Sequence, residues 1–136
     1  MKLLLLYCTR FELATASKSL PGAEDDERAE SHDDCVVALV HAEPADEASA
    51  GGVETKLVKN AKWLAGKFDT KIIVFHFFSH LGSETARPEF ARDLVTRAAG
   101  RLRGSGYEAH VMPFGYFCSL RLDVAGPSLA KVFKEI

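Results

Sequence analysis

H-F-F-S-H-L-G-S, from His76 to Ser83, and P-F-G-Y-F-C-S, from Pro113 to Ser119, are the stretches on which the reading of this chain turns. Each follows an apolar run with strand character: Lys71 to Phe78 runs into the first, and Tyr107 to Met112 precedes the second. Polar side chains and bare backbone therefore fall where a sheet ends, and a pocket can open at such a place.

Outward from these two stretches the pattern is mixed α/β. Lys2 to Cys8 is a short, nearly continuous apolar run that suits a buried strand, and Thr9 to Ala16 continues it as a second strand or a bend, with Phe11 and Leu13 on one side. Pro21 to Asp34 carries seven acidic residues after a Pro-Gly pair, so it reads as a mobile surface loop or the arm of a hairpin. Cys35 to Ala42 is β-branched and apolar, a central strand. Glu43 to Gly52 reads as a loop, and Val53, Leu57, Ala61, Leu64, Ala65 and Phe68 then recur at helical spacing, leaving Lys56, Lys59, Lys62 and Lys67 in water.

Pro88 fits a first helical turn, Phe90, Leu94, Ala98 and Leu102 share a face, and Gly104 is a stop. From Phe117 to Val124, Leu120, Leu122 and Val124 alternate with Ser119, Arg121 and Asp123, which predicts a strand with one buried face. Gly126 and Pro127 end it, and Ser128 is read as the cap of a last short helix through Phe133. The expected fold is a mixed sheet with helices packed on it. There is no internal repeat, and neither a G-x-G-x-x-G nor a P-loop occurs.

A chain of 136 residues with 47% hydrophobic and 26% charged content is one soluble domain by length and composition. At this size roughly 68% of the unfolded surface is buried on folding, enough for a core without staples. No apolar run approaches a membrane span, and Met1 to Leu6 is too short for a signal peptide, so a cytoplasmic location without membrane contact is expected. Cys8, Cys35 and Cys118 are odd in number and lack C-x-x-C spacing, which points to neither a disulfide framework nor zinc. Residues 1–54 hold 4 Lys or Arg against 12 Asp or Glu, and residues 55–136 hold 13 against 7. A positive surface beside a pocket would suit a polyanionic partner, although clustered charges are more often solvated helix faces.

Among single residues, His76 and His80 lie four apart but on β-like backbone with no third ligand nearby in sequence, so metal binding by that pair is not expected. His80 alone reads as structural until its place just before Gly82 is weighed. Pro113-Phe114-Gly115 is first of all a tight turn, yet turns expose N–H and C=O groups able to hold a carbonyl, an oxyanion or a water. Cys118 needs a base or a lowered pKa to act as a nucleophile, and its strand parity with Leu120 and Leu122 favours an inert core or pocket-lining thiol.

Taken together, the two motifs resemble the N-terminal editing domain of archaeal threonyl-tRNA synthetases, in which an aromatic-Pro-aromatic-Ala-His-Leu-Ser stretch precedes Pro-Phe-Gly-(Trp/Tyr)-Tyr-Lys. The likeness begins at Met1 to Leu6 with Phe11 and Glu12, recurs from Val36 to Glu43, and runs to the end of the chain, so residues 1–136 read as a single editing domain. It implies a D-aminoacyl-tRNA deacylase-like fold and an aminoacyl-tRNA deacylase that removes serine wrongly attached to threonine tRNA, without metal or other cofactor. The family's catalytic region falls here on His80, Phe77, Phe114 and Cys118; its substrate-binding region falls on Ala42, Ser79, His80, Gly115, Tyr116, Phe117 and Lys131. Implied partners are seryl-tRNA(Thr), a second copy in a homodimer, and a synthetase aminoacylation module in cis or in trans.

The departures from that pattern are chemical. Cys118 stands at the family's lysine, Phe117 at its tyrosine, Lys131 at a glutamate of the last helix, Phe77 at its proline and Ser79 at its alanine. A Lys-Glu acid-base pair would be lost, leaving backbone groups near Phe77 and Phe114 and the tRNA 2'-OH to position and activate water. Two other activities follow from the same resemblance: a degenerate module that docks tRNA without hydrolysis, and deacylation of D-aminoacyl-tRNA.

Overall fold

The computed structural model describes residues 1–136. Lys2–Lys18 form one long strand, β1, and Ala29–His41 form its antiparallel partner β2, in a single register from Lys2↔His41 to Ala14↔Ala29. Strand and bend both hold beyond Cys8. The ladder continues, but the buried parity changes: Leu6 and Cys8 precede the change, and Phe11 and Leu13 follow it within the same apolar cluster. Opposite the change, Asp34 sits at φ 48°, which a short polar side chain tolerates better than most. The acidic stretch divides accordingly, residues 19–28 forming the irregular hairpin tip and Ala29 to Asp34 the first part of β2.

After β2 come a 3-10 turn at Pro44–Ala48, helix α1 (Ala50–Lys67), β3 (Ile72–Phe77), helix α2 (Pro88–Arg103), β4 (Glu108–Val111) and β5 (Tyr116–Val124). The sheet order is β4-β3-β2-β1-β5, parallel between β2, β3 and β4 and antiparallel around β1. The run Cys35 to Val40 is apolar throughout because both its faces are covered. Val36, Ala38 and Val40 join the larger core with Leu57, Leu64, Leu94 and Leu102 of the helices, while Cys35, Val37 and Leu39 join Phe11, Val74 and Met112 on the other side. Neither helix is long and apolar enough to cross a membrane.

The last short helix expected from Ser128 does not form. Only Ser128–Ala130 make a 3-10 turn, and Lys131–Glu135 are a strand, β6, paired with Lys2 to Leu6. The reason is an open edge: β5 covers β1 only from Cys8 to Lys18, and K-V-F-K-E alternates as an edge strand should. So short a segment has little helical stability of its own.

One connection sets the shape. β4 and β5 lie at opposite ends of the strand order, yet only residues 112–115 link them. Four strand spacings in a flat sheet are roughly 19 Å, and a fully stretched chain over those five Cα steps reaches at most about 18 Å. The sheet must curl. The register slip of β1 against β5 between Cys8 and Arg10 supplies the bend, since such irregularities raise local twist. The hairpin arm thereby folds back over β4, where Arg28 donates to the Val111 carbonyl (2.7 Å).

Phe75 is fully buried on β3 among the helix residues, so Phe75→Ala should lower unfolding free energy by about 3–5 kcal/mol. Lys59→Ala, on the exposed side of α1, should stay within about 0.5 kcal/mol of the parent in the same urea titration.

Candidate active site

The curl gathers the ends of β2 and β3, the turn at residues 113–115 and the start of β5 around a cavity of about 470 Å³. This is where parallel α/β sheets place ligands, outside the carboxyl ends of their strands. Ala42, Phe77, Ser79, His80, Phe114, Gly115, Tyr116, Phe117 and Cys118 all line it, as do His76, Phe78 and Ala86.

Lys131 is not among the lining residues. It opens β6, and its ammonium donates to the carbonyls of Ala125, Gly126 and Pro127 (2.8, 3.2 and 3.4 Å), tying down the turn that ends β5. The position where the resemblance implied a helical glutamate is therefore on a strand, and its side chain is engaged elsewhere.

Two devices build the rim. The first is His41, fully buried at the end of β2: the Leu81 N–H donates to its Nδ1 (3.0 Å), so Nε2 carries the proton and donates to the Glu84 carbonyl (2.7 Å). One neutral imidazole thus spans both sides of the segment that carries His80. The Ala42 carbonyl anchors the same segment further along by accepting from the Ala86 N–H (2.9 Å). In the sequence His41 is marked only as a polar residue near the close of an apolar run.

The second device is Gly115, at φ 76°, a backbone state that favours glycine. Its carbonyl accepts from the N–H groups of Ser19 and Leu20 (2.8 and 3.3 Å), and a Cβ there would lie 2.5 Å from the Ala23 Cβ. The Pro-Phe-Gly turn is thus pressed against the hairpin tip. Phe114 meets Phe77 edge to face at 5.5 Å between centroids, and Arg92 lies over its ring at 5.4 Å.

Phe77 also offers backbone. β2 pairs with β3 as far as Val40↔Phe77, whereas β4 stops at Val111↔Phe75, with the Met112 N–H on the Phe75 carbonyl as the last rung (2.9 Å). On its β4 side, Phe77 has no strand partner, and its peptide groups are free for a ligand in the cavity it lines.

The side-chain chemistry is nearly uncharged. His76 is buried, its Nδ1 has no hydrogen-bond partner, and burial pushes its pKa down to about 4, so the ring is neutral at pH 7. His80 is exposed and packs edge-on against Phe78 at 5.1 Å. Cys118 is half buried; burial raises its thiol pKa, outweighing the opposing effect of Arg28, and no hydrogen bond activates it. It presents a neutral SH to the pocket. Three arginines of the positive C-terminal part are engaged in internal pairs: Arg97 and Arg101 hold Glu54 (2.7 and 3.2 Å), and Arg87 holds Glu47 (2.7 Å). A groove of about 690 Å³ adjoins Phe114, bounded by Arg92 and by the acidic tip residues Glu24, Asp25 and Asp26.

The fold is a curled mixed α/β sheet with two helices and an aromatic, backbone-lined pocket at the carboxyl ends of its parallel strands. Over the whole chain it matches the solved structure of the c-Myc DNA Unwinding Element Binding Protein, with a TM-score of 0.69, 12% identity and coverage of 100% of this chain and 99% of that one. The family model described as "Archaea-specific editing domain of threonyl-tRNA synthetase" matches residues 1–136, and the chain belongs to that family. By family it is an editing domain. Similar proteins include the threonine-tRNA ligases of Thermococcus kodakarensis, 29% identical over 139 residues, and Methanopyrus kandleri, 26% identical over 137 residues. Both alignments take in all of this chain, which spans 22% of the length of each relative.

Two outcomes follow from this geometry. Gly115→Ala should cost about 1–3 kcal/mol from the backbone state alone, and more from the contact with Ala23, read as a lower denaturation midpoint. His76 takes up a proton on unfolding between its unfolded value near 6.5 and its folded value of about 4. Its contribution is therefore complete above pH 6.5 and falls as pH drops through that window, by up to about 1.4 kcal/mol per pH unit. His76→Phe should flatten the pH dependence of stability there, and an unchanged slope would contradict the buried neutral ring.

Proposed function

We propose that this domain hydrolyses the ester of L-serine mischarged on tRNA(Thr), and that it does so with backbone groups and the substrate's own ribose. The observation that carries this reading is the convergence of His80, Ala42, Phe77 and Phe114-Gly115 on one cavity, with no charged acid-base pair among them. A water held by peptide groups near Phe77 and Phe114 adds to the ester carbonyl, and the terminal 2'-OH relays its proton to the departing 3'-oxygen. The products are serine and uncharged tRNA(Thr). An aminoacyl ester is labile enough that positioning and oxyanion stabilisation supply most of what is needed.

Selection acts by exclusion. Threonine exceeds serine by one methyl, and a synthetic site gains only about 1–3 kcal/mol from such a group, so a second, tighter site that rejects the methyl restores fidelity. His80, at the rim, contacts the seryl group, while Cys118 forms wall. The domain works without a catalytic metal or other cofactor. It pairs as a homodimer, for which the β5 edge with Phe117 and the β6 edge with Phe133, 60% and 52% exposed, offer apolar surface. It serves an aminoacylation module supplied in cis or in trans.

Single-turnover deacylation of seryl-, threonyl- and D-aminoacyl-tRNA tests this. Rapid loss of serine alone is expected. His80→Ala should slow that loss at least tenfold or erode Ser/Thr discrimination, and Cys118→Ser should stay within about twofold, since no activated thiolate is involved. A collapse of rate in Cys118→Ser would make the thiol the nucleophile. Binding of tRNA without turnover would identify a degenerate docking module, a reading favoured by the neutral Cys118 and the displaced Lys131.

A further inference from the structure

Outside the cavity, the curl of the hairpin arm brings three metal-ligating side chains together. Glu30 and His32 come from the first part of β2, and His110 comes from β4; one ligand atom from each lies within 4.8 Å of the other two. The two rings face each other at 4.1 Å between centroids. None of the three lines the cavity described above.

The contacts inside this group fit hydrogen bonding poorly. Nε2 of His32 is shut off from solvent without a hydrogen-bond partner, an arrangement that costs free energy. The nearest carboxylate oxygen, on Glu30, is 3.9 Å away, too long for a hydrogen bond. It is close to the spacing of two ligands on one metal, roughly 3.4 Å for a tetrahedral ion with bonds near 2.1 Å. Glu108 holds Nε2 of His110 at 2.7 Å, so a carboxylate from outside the group orients that ring, and Nδ1 is left over. Ligating histidines are characteristically held in this way. The sequence could not show the group, since Glu30 and His110 are 80 positions apart and meet only because the arm folds back.

We propose that Glu30, His32 and His110 form a transition-metal site that takes Zn²⁺ and clamps the β2 arm to β4. Two imidazoles and a carboxylate are a zinc donor set, with water completing the fourth position. Arg28 reaches Glu30 at 3.3 Å, but it retains Asp26 (3.1 Å) and the Val111 carbonyl (2.7 Å) when Glu30 turns to the metal. The site is structural and independent of the deacylase reading.

Chelator-stripped full chain titrated with Zn²⁺ by calorimetry tests it, with thermal unfolding followed in parallel. One equivalent should bind and raise the melting temperature; Glu30→Gln and His110→Asn, which remove the carboxylate and the imidazole while keeping a polar side chain at each partly buried position, should each weaken binding at least tenfold and abolish the thermal shift. Co²⁺ should give a tetrahedral spectrum without a thiolate charge-transfer band. No binding, affinity unchanged in both variants, or a thiolate band assigning the metal to a cysteine would each overturn the proposal.

Discussion

The short link between β4 and β5 is the constraint from which the rest of the molecule follows. Residues 112–115 cannot bridge opposite edges of a flat five-strand sheet, so the β1·β2 hairpin must bend across the sheet and carry β5 toward β4. The bend is written at Cys8 to Arg10 and at Asp34, where the parity of burial changes. The same curl closes the second apolar cluster, brings Arg28 to the end of β4 and sets the Pro-Phe-Gly turn beside the end of β3. Pocket and core therefore share one cause. A change that relaxed the bend would open the cavity before it unfolded the helices, which rest on the opposite face of the sheet.

The electrostatics differ from what the charge count alone suggests. The C-terminal part of the chain carries an excess of Lys and Arg, yet several of its arginines sit on acidic partners from the N-terminal part, chiefly Glu54 and Glu47. These pairs fasten α2 to α1 and to the turn before α1. Beside the cavity the acidic hairpin tip offsets Arg92. A polyanion approaching this mouth meets a mixed surface, and affinity for it must come from particular contacts instead of a broad basic field.

Most of the fold was legible because its signals were local. Both helices, the strands at Lys2, Cys35, Lys71 and Tyr107, and the alternation after Phe117 are fixed by period and by punctuation at Pro88 and Gly104. What failed was non-local. K-V-F-K-E became a strand because β1 had an edge to fill, and nothing within those five residues announces that edge. Most of the site was legible through the two motifs, which land on one cavity. Lys131 is outside it for the same reason that β6 is a strand, and the roles of His41 and of the Glu30, His32, His110 group depend on contacts forty or more residues apart in sequence.

A nearly neutral pocket constrains the chemistry proposed for it. His76 is neutral, Cys118 is protonated and Lys131 faces another turn, so none of these three combines a stored charge with a place to move a proton. Peptide groups can stabilise a developing oxyanion without themselves ionising, and the unpartnered side of Phe77 offers them at low reorganisation cost. In the proposed reaction the proton travels on the substrate, carried by the hydroxyl next to the ester. In that proposed reaction Cys118 is asked only for shape, as part of the wall. The same economy ties rate to fit: a ligand that shifts the ester away from Phe77 and Phe114 forfeits the oxyanion contacts along with its position. Exclusion of one methyl and hydrolysis of the ester then depend on a single geometry.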